Sequence, residues 1–200
     1  PVDRLVVATN VNDILVRTLE TGVYEPKGVV ATHSPSMDIQ ISSNFERLLF
    51  EASGRDADSV RRLMGSLKQS GRFVLPDAML AAIREEFDAG RADETETSAA
   101  IRAAWREAGD LVDPHTAVAL AVADRDTSDS KIPNIVLSTA HPAKFPDAVE
   151  AACGVRPQLP AWLDGLMTKS EHITVMKNDS AEVERFVRSV SRAAKQGVAG

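Results

Sequence analysis

The apolar run Ile135-Val136-Leu137 ends abruptly on two hydroxyl side chains, Ser138-Thr139, and a helical pattern follows. This limits the fold sharply, because open α/β sheets place their ligands where strands stop on small polar residues. A second run, Leu5-Val6-Val7-Ala8, is apolar at successive positions, as strands buried on both faces are. It leads into Asn10-Val11-Asn12-Asp13. Gly28-Val29-Val30-Ala31-Thr32 and Ile173-Thr174-Val175-Met176 read as further strands.

Between these runs the periodicity is helical. Ile14, Leu15 and Leu19 form one stripe, which Asn12-Asp13 can cap and Gly22 can stop. Ser43 and Glu46 have capping-box spacing ahead of Leu48, Leu49 and Ala52. Three stripes follow: Val60, Leu63, Met64 and Leu67; Met79, Leu80, Ile83 and Phe87; Ile101, Ala104, Trp105 and Ala108. The last stands behind an acidic start at Asp93-Glu94-Thr95-Glu96, which suits the positive end of a helix dipole. Asp113-Pro114 signals a helix start, with proline at its first position. Pro146 to Ala152, a short helix near Trp162, and a C-terminal helix through Val183, Phe186, Val187 and Val190 complete the set. The expected class is α/β, a partial parallel sheet flanked by helices with a large helical insertion. The boundaries expected are 1–55, a helical insertion over 56–110, and 111–200. With Pro1 so close to a buried-strand pattern, the chain is expected to be part of a larger architecture.

Composition excludes several classes. A net charge of -6 argues against a nucleic-acid backbone as partner, which wants clustered positive charge. The lone Cys153 excludes an internal disulfide framework and a multi-cysteine zinc site, and fits a reducing cytoplasm. No apolar run approaches the ~18 residues of a membrane helix. His33, His115, His141 and His172 lack metal-ligand spacing. A calcium loop counted from Asp124 would put its glycine on Asp129 and its glutamate on Ile135. No metal site is therefore expected, and Ala123 to Lys131 reads as an exposed loop.

Each polar candidate has a plain structural reading beside a functional one. Ser138 and Thr139 are either caps for the next helix or ligand hydroxyls. Asn10 is a polar group at a strand end. Ser36, Asp38, Ser42 and Asn44 are loop residues or line a substrate entrance, with Arg47 the nearest cation for an anion. His115 and Thr116 lie in a first helical turn and can point into a cleft. His141, before Pro142, either orients its loop or lines the cavity.

Leu137-Ser138-Thr139-Ala140-His141-Pro142-Ala143-Lys144-Phe145 resembles a segment of threonine synthases, and so do Ala8-Thr9-Asn10-Val11-Asn12-Asp13 and Ser34-Pro35-Ser36-Met37-Asp38-Ile39. Asp113-Pro114-His115-Thr116 resembles another segment of that family. The resemblance covers the whole chain as the family's C-terminal half. It implies a pyridoxal-phosphate enzyme of fold type II, the tryptophan-synthase-β-like class. The implied reaction converts O-phospho-L-homoserine and water to L-threonine and phosphate, by β,γ-elimination and replacement, in the cytoplasm.

On this resemblance, residues 1–55 are the end of a cofactor-binding α/β domain, and 111–200 its remainder with the C-terminal helix. Thr139, with Ser138 beside it, is implied to meet the pyridine nitrogen of pyridoxal 5'-phosphate. Asn10, Ser36, Asp38, Asn44, His115 and His141 become substrate-pocket candidates. The Schiff-base lysine and the glycine-rich phosphate loop are implied to lie upstream. This chain then holds no catalytic residue, is inactive alone and pairs with an N-terminal half; Lys144 is read as a helix-surface cation. Two alternatives stand beside this reading. One is another fold type II enzyme, a serine or threonine deaminase or a cysteine synthase, against which the Asn10 and Ser36 segments speak. The other is a non-catalytic interaction module.

Overall fold

The computed structural model describes residues 2–125 and 131–192. It divides into two units, residues 1–158 and 159–200. The first unit opens with strand β1 (Leu5–Thr9) and helix α1 (Ile14–Thr21), ended by Gly22. Gly22 takes a φ of 75°, a left-handed stop that only glycine adopts cheaply. Strand β2 (Val23–Tyr24), a 3₁₀ turn over Pro35–Met37, and helices α2 (Phe45–Ala52) and α3 (Ala57–Ser70) follow. Strand β3 (Phe73–Val74), helix α4 (Asp77–Glu86) and strand β4 (Phe87–Arg91) lead to helices α5 (Glu94–Ala108) and α6 (Pro114–Ala123). A 3₁₀ turn over Pro142–Lys144 and helix α7 (Pro146–Cys153) complete the unit.

β1 pairs in parallel with β4, Leu5 opposite Phe87 and Thr9 opposite Arg91. The connection between them carries α1 to α4, as a parallel pair requires a crossover. β2 and β3 form a separate antiparallel pair. The main core gathers Ile14, Leu19, Tyr24, Phe45, Leu49, Phe73, Leu75, Met79 and Ile83. The stripe of α3 packs half-buried against its outside. A second core joins Ile101 of α5, Ala117 of α6, and Val149 and Ala152 of α7. β4 falls inside the span expected to be a helical insertion, and Phe87, expected on the α4 stripe, begins this strand instead.

Several local expectations are corrected. Gly28–Thr32, Ile135–Leu137 and Ile173–Met176 form no strand. Each is an apolar run with no neighbouring strand among the described residues to complete its hydrogen bonds, and Ile135 is 83% exposed. Ser43 and Glu46 make no capping box. The helix starts at Phe45 behind Asn44, whose side chain makes no cap bond. Asp13 precedes α1 without capping it, because Arg17 and Arg91 occupy its carboxylate at 2.8 and 2.9 Å. A reciprocal capping box forms instead at Asp93 and Glu96. Asp126 and Asp129 lie outside the described residues.

In the second unit, 3₁₀ turns cover Ala161–Leu163 and Leu166–Thr168. Helix α8 (Ser180–Val190) follows, capped where Asp179 accepts from the Glu182 N–H. Its apolar stripe, Val183, Val187 and Val190, is exposed. Among the described residues no helix is long and apolar enough to cross a membrane, and no cluster of histidine, cysteine, aspartate or glutamate is arranged to hold a metal ion.

Candidate functional site

The polar candidates fall into groups within the first unit. The first lies beyond the C-terminal end of β1. Asn10, almost fully buried, donates through Nδ2 to Thr32 Oγ1 at 2.8 Å, Ser34 Oγ at 3.0 Å and Asp38 Oδ1 at 2.8 Å. Asn12 Nδ2 donates to the same carboxylate oxygen at 3.0 Å and to the Val30 carbonyl at 2.9 Å. Asp38 also accepts from the Thr32 backbone N–H and hydroxyl, at 2.8 and 2.7 Å. Buried amides need such partners, since each one left unsatisfied costs stability. Asn10 and Asp38 are thereby brought together, in bonds that close the 28–38 loop onto the strand end. Thr32 and Ser34 are members of this network that the sequence reading did not single out as ligand-facing; their signal was the polar step after Val29-Val30.

The second group is built on the first turn of α6. Asp113 caps the helix by accepting from His115 N at 2.9 Å and Thr116 N at 3.3 Å. The same carboxylate accepts from His115 Nδ1 at 2.8 Å and from the Thr116 hydroxyl. His115 Nε2 accepts from the Ser36 N–H at 3.1 Å, which assigns the ring proton to Nδ1. The ring lies tilted on Phe145, with centroids 4.8 Å apart. Thr116 Oγ1 accepts from the Thr139 N–H at 3.1 Å. His115 and Thr116 are thus held by Asp113 and reach Ser36 and Thr139 through backbone bonds.

The third group is the 137–145 loop itself. Ser138 and His141 line an open cleft of about 650 Å³, together with Trp105, Leu111, Pro142 and Gln158. Ala140 lines it too, whereas Thr139, between Ser138 and Ala140, does not. That alternation is what an extended segment gives. Thr139 is exposed, and its hydroxyl makes no hydrogen bond among the described residues. His141 Nδ1 accepts from Ala143 N at 3.1 Å and so caps the 142–144 turn while facing the cleft. Lys144 sits with its Nζ 5.9 Å from the Phe145 ring centroid. Asn44 stands apart, exposed and accepting from Arg47 at 2.6 Å.

Residues 116–187 match a family model described as Threonine synthase, C-terminal. Threonine synthase of Pseudomonas aeruginosa is 42% identical over 94% of this chain and 40% of its own length. That of Saccharomyces cerevisiae is 36% identical over 92% of this chain and 39% of its own. A PLP-bound threonine synthase structure from Brucella melitensis superposes with a TM-score of 0.83, at 58% identity over 96% of this chain and 41% of that one. The chain belongs to the threonine synthase family. It spans about 40% of the length of both of these curated relatives. Of the threonine synthase site candidates, Ser138, Thr139 and His141 fall inside the family-model match, as does Thr116, and His115 directly precedes it. The α/β class expected from the sequence agrees with these structural neighbours.

Proposed function

We propose that this chain is the C-terminal portion of a pyridoxal-phosphate-dependent threonine synthase, acting on O-phospho-L-homoserine and water to give L-threonine and phosphate. The observation that carries the reading is the 58% identity with the PLP-bound Brucella threonine synthase over 96% of the chain. A Schiff-base lysine and a phosphate-binding glycine loop then belong to the part of the enzyme outside this chain. The exposed apolar side chains of Leu5, Val6, Val29, Val30, Ile135 and Leu137 support such a covering part.

The residues present fit the cofactor. Thr139 offers an exposed hydroxyl, unengaged among the described residues, on a backbone held by Thr116. A hydroxyl can donate to a pyridine nitrogen without protonating it. When bound, the cofactor supplies an electron sink for the carbanions of the reaction. Thr139 sets the strength of that sink, because it lacks the carboxylate that would favour a pyridinium. Ser138, one residue away, faces the cleft and is the alternative hydroxyl. Asn10, Ser36, Asp38, Asn44, His115 and His141 remain pocket candidates. Of these, Ser36, Asn44 and His141 are exposed, whereas Asn10 and Asp38 are occupied with each other. A cytoplasmic biosynthetic enzyme is consistent with the lone cysteine.

The test is phosphate release from O-phospho-L-homoserine by the full-length protein carrying this sequence, with threonine quantified alongside. Equimolar phosphate and threonine are expected, with none from residues 1–200 alone. Ketobutyrate or pyruvate from threonine or serine, without phosphate turnover, would replace this reading with a deaminase. Threonine formation by residues 1–200 alone would overturn the division of labour.

A further inference from the structure

Asp113 is fully buried, at 0% exposure. A buried carboxylate persists only where its hydrogen bonds are satisfied. As a helix cap it needs only its backbone acceptances, which serine or asparagine would provide equally. Its two oxygens do more than that. One takes the Nδ1 proton of His115 and the other takes the hydroxyl proton of Thr116. Each partner's donor hydrogen is then engaged by the carboxylate, and what remains is an acceptor aimed outward. His115 Nε2 receives the Ser36 N–H at 3.1 Å, from 79 residues away. Thr116 Oγ1 receives the Thr139 N–H at 3.1 Å, from 23 residues away.

We propose that Asp113 is a positioning residue that fixes two loops at once, the Ser36 loop through His115 and the Thr139 loop through Thr116. Both relays run one way, from loop N–H to side chain to carboxylate. Neither side chain can reverse its role while Asp113 accepts its hydrogen bond. Phe145 packs on His115 and removes the ring's freedom to turn away. Since Ser138 and Ala140 face the cleft, the Thr139 amide is the backbone bond that sets which side of the loop its hydroxyl occupies. This deepens the proposed function and rests on it for the identity of the ligand that Thr139 meets. The coupling of the two loops does not rest on it.

Hydrogen–deuterium exchange of the full-length protein tests the coupling without any ligand. Thr116→Val is expected to speed exchange in the peptide containing Thr139 and leave that of Ser36 unchanged. His115→Phe is expected to do the reverse, and Asp113→Asn to speed both. Cofactor titration gives the second readout. Thr116→Val raises the pyridoxal-phosphate Kd about tenfold, the worth of the part-buried anchor bond from the Thr139 N–H, and Thr116→Ser restores it to within about twofold. Unchanged exchange at both peptides in all three variants would overturn the positioning role. Altered exchange with a wild-type protein that binds no pyridoxal phosphate would keep the positioning role and sink the proposed function instead. A Thr116→Val protein with faster Thr139 exchange and an unchanged Kd would overturn the link between this anchor and the cofactor.

Discussion

Asn10 Nδ2 lies 2.8 Å from Asp38 Oδ1, joining the end of the first strand to a loop 28 residues later. The Asp38 carboxylate also accepts from Asn12 and twice from Thr32. In Asp38→Asn the new NH2 meets donors in either orientation, the Asn10 and Asn12 amides on one side or the Thr32 N–H on the other. We expect a stability loss of about 1–3 kcal/mol, the range for leaving buried polar groups unsatisfied. Urea unfolding of the full-length protein checks this. A large rise in KM for O-phospho-L-homoserine with unchanged unfolding would instead place Asp38 on the substrate.

Gly90 of β4 and Val122 of α6 are in close approach. A Cβ added to Gly90 would stand 2.6 Å from Val122 Cγ1. The valine methyl cannot swing aside freely, because branching at Cβ leaves one favoured rotamer in a helix. Gly90→Ala is therefore expected to push α6 from β4 at a cost of about 1–3 kcal/mol. The double variant Gly90→Ala with Val122→Ala should recover part of that loss. A fully tolerated Gly90→Ala, measured by thermal unfolding, would contradict the approach.

That glycine also explains what the sequence hid. Phe87-Asp88-Ala89-Gly90-Arg91 has no strand pattern; it is a strand because β1 lies beside it. Conversely Ile135-Val136-Leu137 has the pattern but no partner strand among the described residues, so it forms no strand, and Leu137 is 73% exposed. Signals that act within one turn were legible. Asp113 before Pro114, the acidic start at Asp93, and Gly22 after α1 all formed the helix ends their chemistry favours. In the candidate site Asn10, Asp38, His115 and Thr139 were singled out from family-like segments. Which of them pair was not legible, because bonds spanning 23 to 79 residues leave no spacing to detect.

Tyr24 gives a pH prediction. Burial raises its phenol above the ordinary value of 10.0, partly opposed by the Ser42 N–H, which donates to the phenol oxygen at 2.8 Å. The ring stacks between Phe45 and Phe73, at centroid distances of 5.5 and 4.7 Å. A raised folded value means that the folded state keeps its proton where the unfolded state has lost it. The stabilisation is complete below about pH 10 and is lost as pH rises through the folded value. Tyr24→Phe removes the acceptor for Ser42, costing about 1 kcal/mol near neutrality. It also removes the titration. The stability gap between wild type and variant should therefore narrow above about pH 10. A gap that stays constant from pH 7 to 11 would show that the phenol titrates alike in both states.

Thr139 and Ser138 are neighbours on opposite faces of one loop, and that separates their expected effects. Ser138 lines the cleft with His141, while Thr139 is held by its backbone N–H against Thr116. Thr139→Val keeps the shape and the amide bond but removes the hydroxyl. It should weaken pyridoxal phosphate binding by about tenfold, the worth of one ligand hydrogen bond, and shift the absorbance of the bound cofactor. Ser138→Ala should leave the spectrum unchanged and alter only KM. Titration of full-length wild type and both variants, followed by absorbance, decides between them. If Ser138→Ala moved the spectrum and Thr139→Val did not, the pyridine ring would face the cleft, and the assignment of the two hydroxyls would be reversed.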